Sequence, residues 1–248
     1  MELKYSLDMH THTLASGHAY STINEMAKAA AEKGLTMLGI TEHSSAMPNG
    51  CSDFYLTNLG VVDRELYGVE LLLGAELNII DYTGRVDVEA ELLKRLDLCI
   101  ASLHTPCIPC GNEKENTSAI LGAMENPYVH IIGHPDDGRY PVDFKEIVAG
   151  AKRQHVLLEV NNNSLVPNAF RLNARENDRR MLEICATEGQ PVIIGSDAHW
   201  MGLVGRHDYA MSLIEEIHFP MELVMNYHPE QFKAYVDTRK GYGKEKHE

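Results

Sequence analysis

Seven short apolar runs recur along the chain, and each ends on a polar side chain: "YSLDMH", "TMLGITEH", "VELLLGAE", "LCIASLH", "VHIIGH", "HVLLEVN" and "PVIIGSDAH". Short, nearly continuous runs rich in Leu, Ile and Val suit strands buried on both faces of a parallel sheet. Between them lie segments with apolar residues at helical spacing. The clearest is "STINEMAKAAAEKG", where Thr22 and Glu25 make a capping-box pair, Ile23, Met26, Ala27 and Ala30 line one face, and Gly34 follows the end. "VDVEAELLKRL", "TSAILGAME", "DFKEIVAGAKRQ", "NARENDRRMLEICATEG" and "HDYAMSLIEEI" read as further helices. Strand and helix in alternation predict βα units and an α/β fold with a parallel sheet.

The polar residues that end the runs are His10, His43, Glu76, His104, His134, Asn161 and Asp197, separated by 27 to 36 positions, about one βα unit each. Seven units closed into a TIM-like barrel place all of them on the C-terminal rim of the strands, where barrels of this type carry their chemistry. The pattern predicts one barrel domain over residues 1–240 and a polar, frayed tail over 241–248.

Neighbouring motifs add His12, His18 and His199, so seven of the thirteen histidines join Glu76 and Asp197 at this rim. In His10-Thr11-His12 and Asp197-Ala198-His199 the i, i+2 spacing puts both side chains on one face. A single histidine after a strand is more often structural. Crowding seven imidazoles and two carboxylates together, however, carries a desolvation cost that a metal cluster removes. Neutral imidazole and carboxylate suit zinc, manganese or iron, and nine donors exceed the needs of one tetrahedral ion. Two or three ions, with Glu76 bridging, account for them.

Composition narrows the partners. A formal charge of −14 argues against general nucleic-acid binding, which relies on Lys and Arg. No apolar run approaches the ~18 residues of a spanning helix, and Glu2, Lys4 and Asp8 interrupt any signal-peptide core, so a soluble cytoplasmic protein is expected. Five cysteines in a chain of this size predict no disulfide framework. Cys107 and Cys110 form a lone CxxC, read as two reduced thiols in a rim loop.

The ordered motifs "HTHT", "SGHAYS", "TEHS", "GAELN", "SLH", "GHP" and "GSDAH", from residue 8 to about 205, resemble those of the polymerase and histidinol phosphatase (PHP) superfamily. They look most like its stand-alone phosphatase branch, which has a distorted (β/α)7 barrel and a trinuclear metal centre. The resemblance implies that His10, His12, Glu76 and Asp197 hold a first ion, Glu76 with His104 and His134 a second, and His18, His43 and His199 a third. Zinc is the first expectation, with manganese or iron as alternatives, and Glu76, Asp197 and His199 are the residues expected to act in catalysis. The implied reaction is hydrolysis of a small-molecule phosphomonoester by a metal-bound hydroxide, with no nucleophilic Ser or Cys. Three divalent ions against two ligand carboxylates leave the site about four charges positive, which lets an acidic protein attract phosphate.

The sequence leaves other residues with two readings. Arg139 and Arg206 sit on rim loops and could fork onto a phosphate, although each reads first as a solvated surface arginine. Asn161 is a candidate for orienting substrate or a ligand, and Tyr20 and Asp136 for proton transfer. The alternative enzyme is a phosphodiesterase or 3′–5′ exonuclease, because PHP domains joined to DNA polymerases can edit DNA. The acidic balance and the lack of an arginine-rich patch speak against it. An amidohydrolase-type site would need a carboxylated lysine where this chain carries Glu76, His104 and His134. A non-catalytic metal-binding module would be expected to lack some ligands, and none is missing. Loops 44–60, 107–117 and 200–207 are expected to set the substrate, of which histidinol phosphate is one possibility.

Overall fold

The computed structural model describes residues 6–245, with side chains as far as Arg239. Its strands are β1 (Leu7–Asp8), β2 (Met37–His43), β3 (Glu65–Leu66), β4 (Val69–Asn78), β5 (Leu98–Ser102), β6 (Ile131–Ile132), β7 (Leu157–Asn161) and β8 (Val192–Gly195). Seven of them form one parallel sheet in the order β1-β2-β4-β5-β6-β7-β8, and β3 pairs antiparallel with β4. Each of the seven apolar runs supplies one parallel strand. The helices are α1 (Ile23–Glu32), α2 (Asp53–Asn58), α3 (Ala90–Leu93), α4 (Glu113–Glu125), α5 (Phe144–Gln154), α6 (Ala174–Glu188), α7 (Asp208–Glu216) and α8 (Pro229–Glu245).

The sheet curls almost shut, and its seam is closed by few direct backbone contacts. Thr11 and Ala198 make a single parallel bridge, with the His12 N–H donating to Ala198 O at 2.9 Å. Deeper in the barrel the Asn226 side chain stands in for the missing ladder. It accepts from the Ile194 N–H at 2.7 Å and donates to Leu7 O at 3.0 Å and Ile194 O at 2.8 Å. The Asp8 carboxylate accepts from the Ser196 and Gly205 N–H groups at 3.1 and 2.8 Å, tying β1 to the segment after β8.

Inward positions change character along the strands. Near the N-terminal ends they are apolar, and Leu7, Met37, Leu72, Leu98, Ile131, Leu157 and Ile193 form one buried cluster with Phe232, Tyr235 and Val236 of α8, which plugs that mouth. Two to six residues further, the same faces carry Glu76 and Asn78 on β4, Glu159 and Asn161 on β7, and Asp197 beyond β8. A strand repeats its facing every second residue, so one strand contributes both to the core and to the rim. The outer faces pack on the helices in a second, larger cluster.

The capping box that opens α1 is present, with Thr22 N–H donating to Glu25 Oε2 at 2.8 Å and Glu25 N–H to Thr22 Oγ1 at 3.2 Å. The "VDVEAELLKRL" segment departs from expectation: only Ala90–Leu93 is helical. Val86 is bridged to Ile79, and the Asp87 carboxylate is occupied by Ser44 Oγ, Ala46 N–H and Asn78, so this stretch buttresses the rim instead. Helix α8 carries the backbone through Glu245, so residues 241–245 of the expected frayed tail are helical, and the remainder of that tail lies outside the described residues. Among the described residues, no helix is long and apolar enough to cross a membrane.

Candidate metal centre

Glu76 is fully buried on β4, and its two oxygens divide the rim cluster. Oε2 lies 2.8 Å from His43 Nδ1, 3.4 Å from His10 Nε2 and 3.5 Å from His12 Nε2. Oε1 lies 2.9 Å from His134 Nε2 and 3.2 Å from His104 Nε2. Asp197 Oδ1 faces His12 and His10 at 3.4 and 3.8 Å. His18 and His199 meet through their Nε2 atoms at 3.1 Å, and the His18 ring stacks 4.8 Å from that of His43. All nine residues expected at the rim are thus brought together.

The outward nitrogens of four of the imidazoles are held by the protein. His10 Nδ1 meets Glu159 Oε1 at 2.6 Å, His12 Nδ1 meets Ser16 Oγ at 3.1 Å, His104 Nδ1 meets Asn78 Oδ1 at 2.8 Å, and His199 Nδ1 meets the Asp197 carbonyl at 3.0 Å. Partners of this kind fix the tautomer and ring plane of metal-ligating histidines. Behind Ser16 stands Glu42, which accepts from Ser16 Oγ at 2.6 Å and from the Thr13 N–H at 3.0 Å.

The inward donors fit divalent ions. His10 Nε2, His12 Nε2, His43 Nδ1 and Glu76 Oε2 are buried without a hydrogen-bond partner and face one another across the same space. Buried polar atoms left in this way are strongly disfavoured unless something else satisfies them. Donors bound at ~2.0–2.1 Å around a tetrahedral zinc lie roughly 3.3 Å apart, close to several separations above. Among the described residues, three triads have donor atoms within 4.8 Å of one another: His12–His43–His199, His10–His12–Glu76 and His43–Glu76–His104. His12 and His43 each belong to two triads, so the donors form a continuous chain. Two of the nine, His134 (φ 30°) and Asp197 (φ 52°), hold left-handed backbone that non-glycine residues rarely adopt.

Electrostatics follow from this crowding. Burial opposes charge on His10, yet Glu159, Glu76 and Asp197 hold it well above the ordinary histidine range. Burial, with His43 and His199 alongside, holds His12 well below that range. Burial alone would raise Glu76, but His104, His10 and His43 keep it well below the usual carboxylate range. Asp197 is likewise lowered against its burial, by His10, His12 and Arg171.

A pocket of about 360 Å³ opens onto the cluster. His18, His43, His104, His134, Asp197 and His199 form its floor, and Met47, Leu103, Pro106, Phe170, Arg139 and Arg171 are among its walls. Of the two arginines expected on phosphate, Arg139 reaches this wall with its guanidinium committed to Asp137 at 2.9 and 3.0 Å. Arg206 does not: it lies outside the lining, bonded to Asp208 at 3.1 Å and set over the Tyr209 ring. Its loop bends it away from the rim. Asn161 holds Asp197 in place, donating to its Oδ2 at 3.3 Å and to Glu159 Oε2 at 3.1 Å. Tyr20 is exposed and Asp136 fully buried, and neither lines the pocket. Cys107 and Cys110 are free thiols, and burial pushes Cys107 up to about 12.

Two side chains that contact the cluster have no place in the sequence-based expectation. Arg171 is buried in the loop after β7 and bonds Asp197, Asn161 and Ser164. No sequence signal marks it, because it arrives from a long irregular segment. Glu159 had one: it is a carboxylate inside an apolar strand, two positions before Asn161 and therefore on the same inward face.

Comparison with known proteins agrees with this architecture. A family model described as the PHP domain matches residues 8–237. The chain is 42% identical over 237 residues to a protein of Clostridium novyi named "Probable phosphatase", covering 96% of each. It is 42% identical over 238 residues to another so named, from Acetivibrio thermocellus, covering 96% of this chain and 98% of that one. Among solved structures, histidinol phosphate phosphatase from Lactococcus lactis, complexed with zinc, L-histidinol and phosphate, shares the fold. Its TM-score is 0.58 at 15% identity, over 87% of this chain and 95% of that one.

Proposed function

This chain belongs to the PHP domain family, and from that premise we propose that it is a metal-dependent phosphatase hydrolysing a small-molecule phosphomonoester. The observation that carries the reading is the set of buried, unpartnered donors of His10, His12, His43 and Glu76 facing one another, with His43 also lining the open pocket. His10, His12, Glu76 and Asp197 would hold one ion, Glu76, His104 and His134 a second, and His18, His43 and His199 a third, with zinc as the first choice. Bound in this way, divalent ions would supply Lewis acidity toward a phosphoryl oxygen and lower the pKa of a water.

The chain's own side chains do the rest. Arg171 brings a buried positive charge to the pocket wall beside Asp197, where it offsets phosphate charge. Arg139 adds a second guanidinium, anchored by Asp137. Met47, Leu103, Pro106 and Phe170 give the leaving group an apolar wall. No serine or cysteine lines the pocket among the described residues, in keeping with direct transfer to water. Glu76, Asp197 and His199 act as the catalytic ligands, through the charge and orientation they impose on the centre.

A phosphodiesterase activity is the competing reading. The pocket's modest volume and the net charge of −14 favour a small monoester over a nucleic-acid strand. Hydrolysis of p-nitrophenyl phosphate compared with its bis(p-nitrophenyl) diester separates the two. Faster turnover of the monoester is expected, and a preference for the diester would replace this reading.

A further inference from the structure

We propose that Glu159, in the middle of β7, is a positioning residue that fixes two metal ligands at once, His10 through its ring and His134 through its backbone. This rests on the metal-centre reading above. Glu159 is fully enclosed at 1% exposure. Its Oε1 meets His10 Nδ1 at 2.6 Å, while Oε2 accepts from the His134 N–H at 2.8 Å and from Asn161 Nδ2 at 3.1 Å. The two ligands come from opposite parts of the sheet, after β1 and after β6, and belong to different ions in the proposed grouping.

The chemistry of the two contacts is specific to a carboxylate. An ionised carboxylate only accepts, so a neutral His10 must carry its hydrogen on Nδ1 and leave Nε2 bare. That bare nitrogen is the one turned toward Glu76 Oε2 at 3.4 Å and Asp197 Oδ1 at 3.8 Å. The outward nitrogens of His12, His104 and His199 rest on a hydroxyl, an amide oxygen and a carbonyl, so of these four histidines only His10 bonds a charged acceptor directly. Such a bond is the stronger kind and raises ligand basicity. The second contact restrains strained backbone: His134 sits at φ 30°, and its N–H is aimed at Oε2. The fold reserves room for this carboxylate, since a Cβ built on Gly195 would stand 1.9 Å from Oε1.

Glu159→Gln tests the idea with an isosteric amide. If its oxygen stays on the His134 N–H, its NH₂ faces His10 Nδ1 and forces the hydrogen onto Nε2, where it blocks metal. If it turns over, the NH₂ confronts two donors. Gly195→Ala displaces the carboxylate without removing its charge. The measurement is the number of zinc ions per folded chain by elemental analysis, with far-UV circular dichroism as the check on folding. Both variants are expected to lose at least one ion relative to wild type and to bind zinc about 10–100-fold more weakly. In metal-free wild type at high pH, nitrogen-15 NMR should place the His10 hydrogen on Nδ1, a readout that requires no variant. Full zinc content and unchanged affinity in Glu159→Gln, or an Nε2–H tautomer in wild type, would overturn the proposal. A wild-type protein that takes up no zinc, manganese or iron would overturn the metal reading beneath it.

Discussion

Arg171 and Asp197 share a buried contact that splits the carboxylate between two tasks. The guanidinium holds Oδ2, with NH1 at 3.3 Å and NH2 at 3.2 Å, while Oδ1 faces His12 Nε2 at 3.4 Å. Arg171 also bonds Asn161 Oδ1 at 3.3 Å and Ser164 Oγ at 3.0 Å, so its planar fork, not its charge alone, sets where Asp197 points. Arg171→Lys keeps the charge and loses the fork. It is expected to lower kcat/KM for p-nitrophenyl phosphate about 10–100-fold, whereas Arg206→Ala, outside the pocket, should leave it within about twofold. Steady-state kinetics of the two variants side by side checks this.

Beneath the same loop, Asp136 and Asp178 are both fully buried. Burial pushes Asp136 up to about 7, and burial with Asp136 and Glu159 nearby raises Asp178 well above the usual carboxylate range. Below about pH 4 the folded and unfolded chains hold these protons alike. Above it the unfolded chain releases protons that the folded one keeps, so the pair's contribution to stability declines toward pH 7. Asp178→Asn makes one member permanently neutral. In chelator-stripped protein it should raise the melting temperature at pH 8, by a stabilisation on the order of 1–3 kcal/mol, and flatten the pH dependence between about 4 and 7. Thermal unfolding at a series of pH values is the measurement, and equal melting temperatures at pH 8 would count against the pair.

The seam of the barrel depends on Asn226, whose side chain makes three hydrogen bonds to the backbone of Leu7 and Ile194. Asn226→Ala leaves those buried groups unpaired and is expected to cost about 2–4 kcal/mol of stability. Urea unfolding would register it as a lower midpoint with an unchanged slope. The variant should retain its full metal content while folded, because Asn226 bonds the backbone of Leu7 and Ile194, at the apolar end of the barrel.

The periodicity of apolar runs revealed the seven parallel strands because burial on both faces leaves no room for polar residues until the rim. For the same reason the polar residue ending each run marked the rim, and the convergence of His10 with Asp197 followed from barrel closure. Other features have no local signature. The closure itself rests on Asn226 and Asp8, which act through contacts to residues far away in sequence. Arg171 is delivered by an irregular loop, and Arg206, which the sequence offers on the same terms as Arg139, is bonded to Asp208 outside the pocket lining. The "VDVEAELLKRL" segment has helical spacing, but Asp87 is worth more to the rim as a hydrogen-bond acceptor than to a helix. Glu159 was visible in principle, as a carboxylate at an inward strand position.

The most direct test of the account is to strip the protein with a chelator, add back zinc or manganese in measured equivalents, and follow p-nitrophenyl phosphate hydrolysis at each step. Activity is expected to vanish on stripping, return with added ion, and saturate near three ions per chain. Turnover that survives complete stripping, or its absence in protein verified to hold three ions, would contradict the claim that this rim is a phosphatase metal centre.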